Sequence, residues 1–353
     1  MTDAEVLGLL RGVKHPGKGS RDIVDLDMVR GIEMLADRTV VTLAFGKKRD
    51  PLAEYLIGAT RATLIRAGLP EPEVRTVVVD DSRAAKRPPE LGKEMISGVR
   101  HIIGVASGKG GVGKSTVAVN LAVALARAGY RVGLADADVY GPSVPTMTST
   151  EGTTPLAEEI DGKEEIVPVE KYGVRWMSIG YFATRSQALI WRGPMASSAL
   201  KQLVLQVNWG PLDYLLIDMP PGTGDIHLSL MQDIGIESAI VVTTPQNVAL
   251  ADVEKCVSMF RNESIDRPIL GLVENMAWFT PAEHPDEKYY IFGRDGGAQM
   301  AERLGVDLLA QIPLVQGIRE SGDAGEPAAL SSRPDGVAFI ELAGKLADRT
   351  TSS

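Results

Sequence analysis

Residues 101–116 read HIIGVASGKGGVGKST. The apolar run at its start reads as a buried strand, and the alanine-rich STVAVNLAVALARAG that begins at Ser115 reads as a helix. Between them Gly108, Gly113, Lys114 and Ser115 fit G-x-x-x-x-G-K-[ST], a phosphate-binding loop in the strand–loop–helix context such a loop requires. The chemistry explains the residue types. Gly108, Gly110, Gly111 and Gly113 let the chain wrap a phosphate, with the N–H groups along the loop, Val112 included, pointing inward. The helix N-terminus near Ser115 adds positive potential. Lys114 is expected to reach the β- and γ-phosphates, the Ser115 hydroxyl to ligate Mg²⁺, and Thr116 to meet the α-phosphate. The predicted ligand is ATP with Mg²⁺.

Working outward, the strands VRHIIGVAS, RVGLADAD, VRWMSIGYF, YLLIDMP, SAIVVTTP, PILGLVEN and DLLAQIPL alternate with helices from residue 99 on. Continuous apolar strands with helices between them predict a parallel sheet covered on both faces. The fold class is therefore α/β, a doubly wound, mostly parallel sheet forming a P-loop NTPase domain over 99–353. Residues 81–98, DSRAAKRPPELGKEMISG, read as a linker. Residues 1–80 read as a small α+β domain. EVLGLLRGV predicts a helix with Val6, Leu9, Leu10 and Val13 on one face. RDIVDLDMVRGIEML and RTVVTLAF predict two strands, DPLAEYLIGATRATLIRAG a helix closed by Gly68 and Pro70, and EVRTVVVD a third strand.

Strand carboxyl ends line the ligand crevice in such sheets. Asp136 and Asp138 end the second strand, and Asp136, one step closer to the sheet, is the expected indirect partner of Mg²⁺. Asp218 ends YLLID, a carboxylate held in an apolar wall near Mg²⁺, and the PPGTGD after it reads as a switch that closes on the γ-phosphate. Asn275 ends PILGLVEN.

Composition narrows the class. The 353 residues hold 37 Lys and Arg against 46 Asp and Glu, a net charge of −9, which disfavours nonspecific nucleic-acid binding. The N-terminus lacks the pattern of a signal peptide, and no apolar run approaches the ~18 residues of a membrane span. The expectation is a cytoplasmic protein without membrane contact. In FIELAGKLADRT, Phe339, Leu342 and Leu346 share a helical face and the polar face is mixed in charge, which predicts a docked terminal helix. One cysteine, Cys256, lies among Val253, Val257 and Phe260 on a helical face and reads as core.

The order of motifs carries a resemblance. SGKGGVGKST, DADVYGPSVP, WRGPM at 191–195, DMPPGTGD, VTTPQNVALADVEK and VENM together resemble the Mrp/ApbC family of iron–sulfur cluster carrier ATPases, within the deviant phosphate-loop class that includes MinD and ParA. RDIVDLDMV is similar to the small iron–sulfur assembly domain that many bacterial members carry. The resemblance implies an ATP-sandwich homodimer in which Lys109 reaches the partner's nucleotide, Asp138 orients the attacking water and Asn275 contacts adenine. It also implies binding of a [4Fe–4S] cluster and its transfer to apo iron–sulfur proteins. The family's C-x-x-C, in the loop after VENM, aligns here with Pro281 and His284. Two cysteines from each of two chains make the four thiolates such a cluster takes; this chain lacks them. Glu283 and Asp286 beside His284 are candidates for a mixed oxygen and nitrogen metal site, against a plain solvated loop. The loop's aromatics, Trp278, Phe279, Tyr289, Tyr290 and Phe292, support a second reading as a nucleotide-switched scaffold that docks a protein partner.

Overall fold

The computed structural model describes residues 3–15, 21–26, 28–35, 37–45, 53–78, 96–160, 162–182, 193–281, 283–284 and 286–351. The chain divides into two compact units, Met1–Arg87 and Pro88–Ser353. Residues 81–95 of the expected linker, and Trp191 and Arg192 of WRGPM, lie outside the described residues.

In the first unit, helix α1 (Asp3–Leu10) and helix α2 (Ala53–Arg66) accompany strands β1 (Val29–Met34), β2 (Thr39–Phe45) and β3 (Pro72–Val78). The sheet order is β1-β2-β3, with the first pair antiparallel and the second parallel. Val6, Leu10 and Val13 are buried with Leu43, Phe45, Leu56 and Leu64, as the helical spacing predicts, and Leu9 packs against them half-buried. The first expected strand is shorter than RDIVDLDMVRGIEML. Residues 23–26 form a turn instead, because the Asp22 carboxylate accepts the Val24 and Asp25 amides at 3.1 and 2.8 Å and competes with sheet pairing.

The second unit runs β4 (Val99–Ala106), α3 (Lys114–Arg127), β5 (Val132–Asp136), a hairpin of β6 (Ala157–Ile160) and β7 (Lys163–Ile166), β8 (Val169–Lys171) and β9 (Val174–Ser178). It continues with α4 (Gly193–Leu205), β10 (Leu212–Asp218), α5 (Asp225–Asp233), β11 (Ser238–Thr243), α6 (Asn247–Phe260) and β12 (Ile269–Phe279). The last elements are α7 (Gly296–Leu304), β13 (Leu308–Leu314), α8 (Gln316–Asp323) and α9 (Pro334–Thr351). Eight strands form one sheet in the order β13-β12-β11-β4-β10-β5-β9-β8, parallel except for β8 against β9.

Alternation along each strand feeds two cores. Ile102, Leu215 and Val241 face the side of α4, α5, α6 and α7, while Ile103, Leu216 and Val242 face α3 and α9. Phe339, Leu342 and Leu346 of α9 are fully buried, so the terminal helix is docked as its spacing predicts. Cys256 is likewise a core residue on α6. The β6–β7 hairpin and β8 are absent from the sequence reading; EEIDGKEEI is too acidic to show an apolar strand pattern.

β12 does not stop at Asn275 but continues to Phe279, across a shift in register between those two residues. Met276 sits at φ 56°, so the chain kinks without leaving the sheet. Trp278 and Phe279 thus belong to the strand, and Phe279 bridges Tyr289 on the returning chain.

Candidate functional site

The site lies at the carboxyl ends of β4, β5, β10 and β12. β4 delivers the chain into residues 107–113, and α3 begins at Lys114. Glycine is obligatory twice. Gly113 holds φ 81°, and a side chain there would meet the Asn275 amide at 2.2 Å. A Cβ on Gly108 would meet the Asp252 carbonyl of α6 at 2.2 Å. The loop is wedged between the strand end that carries Asn275 and helix α6.

Lys114 and Asp218 form the centre. Lys114 Nζ lies 2.5 Å from Asp218 Oδ1 and 3.3 Å from Ser115 Oγ. Both members of the pair are buried. Asp218 Oδ2 is buried with no hydrogen-bond partner, a cost of about 1–3 kcal/mol unless a ligand uses it. An unsatisfied carboxylate oxygen near a serine hydroxyl is a hard-oxygen donor set, which fits Mg²⁺. Ser115 and Thr116, in the first turn of α3, are half-buried.

Asp136 pairs in register with Asp218 on the neighbouring strand. Its Oδ1 accepts the Asp138 amide at 3.2 Å; its Oδ2 accepts the Ser143 and Val144 amides at 3.2 Å and the Ser178 hydroxyl at 3.0 Å. Both oxygens therefore organise the turn after β5. Burial and then the Asp218 charge push its carboxyl up to about 7, against the pull of Lys114. Asp138 is half-buried and accepts the Gly141 amide at 3.2 Å. Burial raises its carboxyl above the ordinary range, with Lys114 opposing and Asp218 adding to the rise. Lys109 is exposed on the phosphate loop.

Asn275 donates from Nδ2 to the Val112 carbonyl at 2.8 Å. In this chain its amide braces the phosphate loop, a contact the sequence reading did not foresee. Glu274 was missed as well. Fully buried, it accepts the Gly297 amide at 2.7 Å and the Gln311 amide at 2.6 Å, which fixes the N-terminus of α7 to the strand. A charged residue inside the apolar run ILGLVEN was the available signal.

The loop after β12 holds itself together. Lys288 lies over the Trp278 ring at 3.8 Å and Arg294 over the Tyr290 ring at 4.8 Å, while the Tyr289 hydroxyl donates to Glu287. His284 Nδ1 faces Glu287 at 3.6 Å. Among the described residues no three or more His, Cys, Asp or Glu side chains gather as a metal site. Cys256 is buried, and desolvation pushes its thiol up to about 12. The donors at hand do not fit an iron–sulfur cluster.

The phosphate-loop domain matches the model of the ParA family described as NUBPL iron-transfer P-loop NTPase over residues 98–347. The chain belongs to this family. Residues 3–79 match a second model, the iron–sulfur cluster assembly protein family, which places the first unit. A protein of Deinococcus radiodurans named iron–sulfur cluster carrier protein is 42% identical over 362 residues, covering 100% of this chain and 97% of its own. One of the same name from Synechocystis is 41% identical, covering 94% and 92%. A mitochondrial Arabidopsis thaliana protein named iron–sulfur protein required for NADH dehydrogenase is 48% identical over 67% of this chain and 74% of its own. Among solved structures, the Archaeoglobus fulgidus nucleotide-binding protein in complex with ADP is 36% identical with a TM-score of 0.60, covering 71% and 96%. MinD of Pyrococcus horikoshii with Mg-ADP is 26% identical with a TM-score of 0.52, covering 70% and 96%. Carrier-family kinship and the MinD-like sheet agree with the motif order and the fold class read from sequence.

Proposed function

We propose that this protein is an ATP-hydrolysing homodimer of the carrier family, acting in the cytoplasm in the delivery of iron–sulfur clusters to apo-proteins. The observation that carries the hydrolytic reading is the buried Lys114–Asp218 pair with its unsatisfied Oδ2. ATP entering the phosphate loop gives Lys114 a new partner in the β- and γ-phosphates, bound by the N–H groups of residues 108–116. Asp218 is thereby released, and Ser115 and Asp218 would hold Mg²⁺, with Asp136 fixing the turn that bears Asp138. Mg²⁺ supplies charge neutralisation on the phosphate oxygens. Asp138, which feels the charges of both Lys114 and Asp218, orients the attacking water, and its raised carboxyl suits a group that exchanges protons with it. Lys109 reaches the partner's nucleotide in the dimer, and Asn275 contacts the adenine beside the phosphate loop it braces.

The cluster is cargo, and no ligation step is assigned to this chain. A second reading, a nucleotide-switched scaffold that carries no cluster itself, is favoured by one observation: the sole cysteine is buried. The resemblance implies thiolates at the positions of Pro281 and His284. Anaerobic reconstitution with iron and sulfide separates the two. Acid-labile sulfide with a visible charge-transfer band per dimer sinks the scaffold. ATP turnover without either supports it.

A further inference from the structure

One side chain beside the site has no part in the steps above. His227 lies in the first turn of α5 and is 2% exposed. Its Nε2 is 2.8 Å from the Pro220 carbonyl. A carbonyl only accepts, so Nε2 carries the hydrogen. Burial lowers the imidazole below the ordinary histidine range, so the ring is neutral and Nδ1 is bare, buried and without a hydrogen-bond partner. The imidazole is thus tied through Nε2 to the Pro220 carbonyl.

That bond ties the start of the segment 220–224 to the helix that follows it. The segment is also held from the other side: the Gly222 amide donates to the Ser107 carbonyl at 3.0 Å. Pro221 lies against Gly110, where a Cβ would be 3.8 Å away. The segment therefore leans on the phosphate loop, directly after Asp218. We propose that His227 is a positioning residue for nucleotide hydrolysis, fixing residues 220–224 through Nε2–H in the arrangement that meets the γ-phosphate. The inference rests on the hydrolytic reading above. None of the hydrogen bonds of His227 goes to the phosphate loop itself, so its loss falls on turnover rather than on nucleotide affinity.

The test uses the full chain and three variants, His227→Ala, His227→Gln and His227→Asn, with kcat and KM for ATP and a separate titration with fluorescent ADP. A glutamine amide extends far enough to replace the Nε2 donor; an asparagine amide is too short. The Ala and Asn variants are expected to lose about ten- to a hundredfold in kcat, the scale of a displaced reacting group, with ADP affinity within about twofold of wild type. The Gln variant is expected to recover to within about threefold of wild type. If Ala does not fold, the Gln–Asn comparison carries the test. The inference is overturned by wild-type kcat in the Ala or Asn variant, by equal losses in Gln and Asn, or by an affinity loss that matches the kcat loss. Wild-type protein that binds ADP but turns over no ATP overturns the hydrolytic reading instead, before any variant is compared.

Discussion

Asn275 and Val112 are 163 residues apart and joined by one hydrogen bond at the floor of the phosphate loop. Asn275→Ala leaves the buried Val112 carbonyl without that donor, and a cost of about 1–3 kcal/mol is expected in urea unfolding, with weaker ADP binding in a titration. Cys256 makes a second prediction. A thiol this buried, its pKa pushed up to about 12, should resist an aromatic disulfide reagent in the native protein and react at full stoichiometry only after denaturation. Lys114, Ser115 and Asp218 were legible in the sequence because each sits in a short motif with a fixed neighbour. The Asn275 brace and the Glu274–Gly297 bond were not, because each joins segments that only the folded sheet brings together.

At the scale of elements, continuous apolar runs marked the parallel strands and helical spacing marked α9. Their limits were less legible. Asp22 stops a strand before it starts, through a side-chain bond that hydrophobicity does not report. Met276 bends β12 without ending it, so three more residues stay in the strand. Phe339 is fully buried between α9 and the sheet, and Phe339→Ala is expected to cost about 3–5 kcal/mol by chemical denaturation. β5 and β10 are clamped at their starts by Arg131, whose guanidinium donates to both Asp213 oxygens at 3.0 and 2.8 Å. Arg131 holds the Asp213 carboxyl down at about 2, below its ordinary 3.8. The folded pKa is the lower one, so the pair's contribution is present above about pH 4 and lost as pH falls through 2. Asp213→Asn should therefore be less stable than wild type by about 0.5–1 kcal/mol at neutral pH, a deficit that fades in melts taken from pH 4 towards pH 2.

At the scale of the molecule, two units share the chain: a small α+β unit of the iron–sulfur assembly type and a MinD-like sheet with a complete phosphate loop. The loop after β12 lacks the C-x-x-C that the resemblance implies. Lys288 lies over Trp278, Arg294 over Tyr290, and the Tyr289 hydroxyl donates to Glu287, while the Tyr289 and Tyr290 rings stay exposed; the loop brings no thiolate. What remains intact is the nucleotide machinery, and among the described residues no helix is long and apolar enough to cross a membrane. This machinery is expected to turn over ATP through Lys114, Asp218 and the water-orienting Asp138. Steady-state phosphate release from ATP and Mg²⁺ by wild type, Lys114→Ala and Asp138→Asn tests it most directly. Slow turnover by wild type is expected, with a loss of about a hundredfold or more in each variant. Turnover by Lys114→Ala equal to that of wild type, or no turnover by wild type that binds ATP, would contradict it.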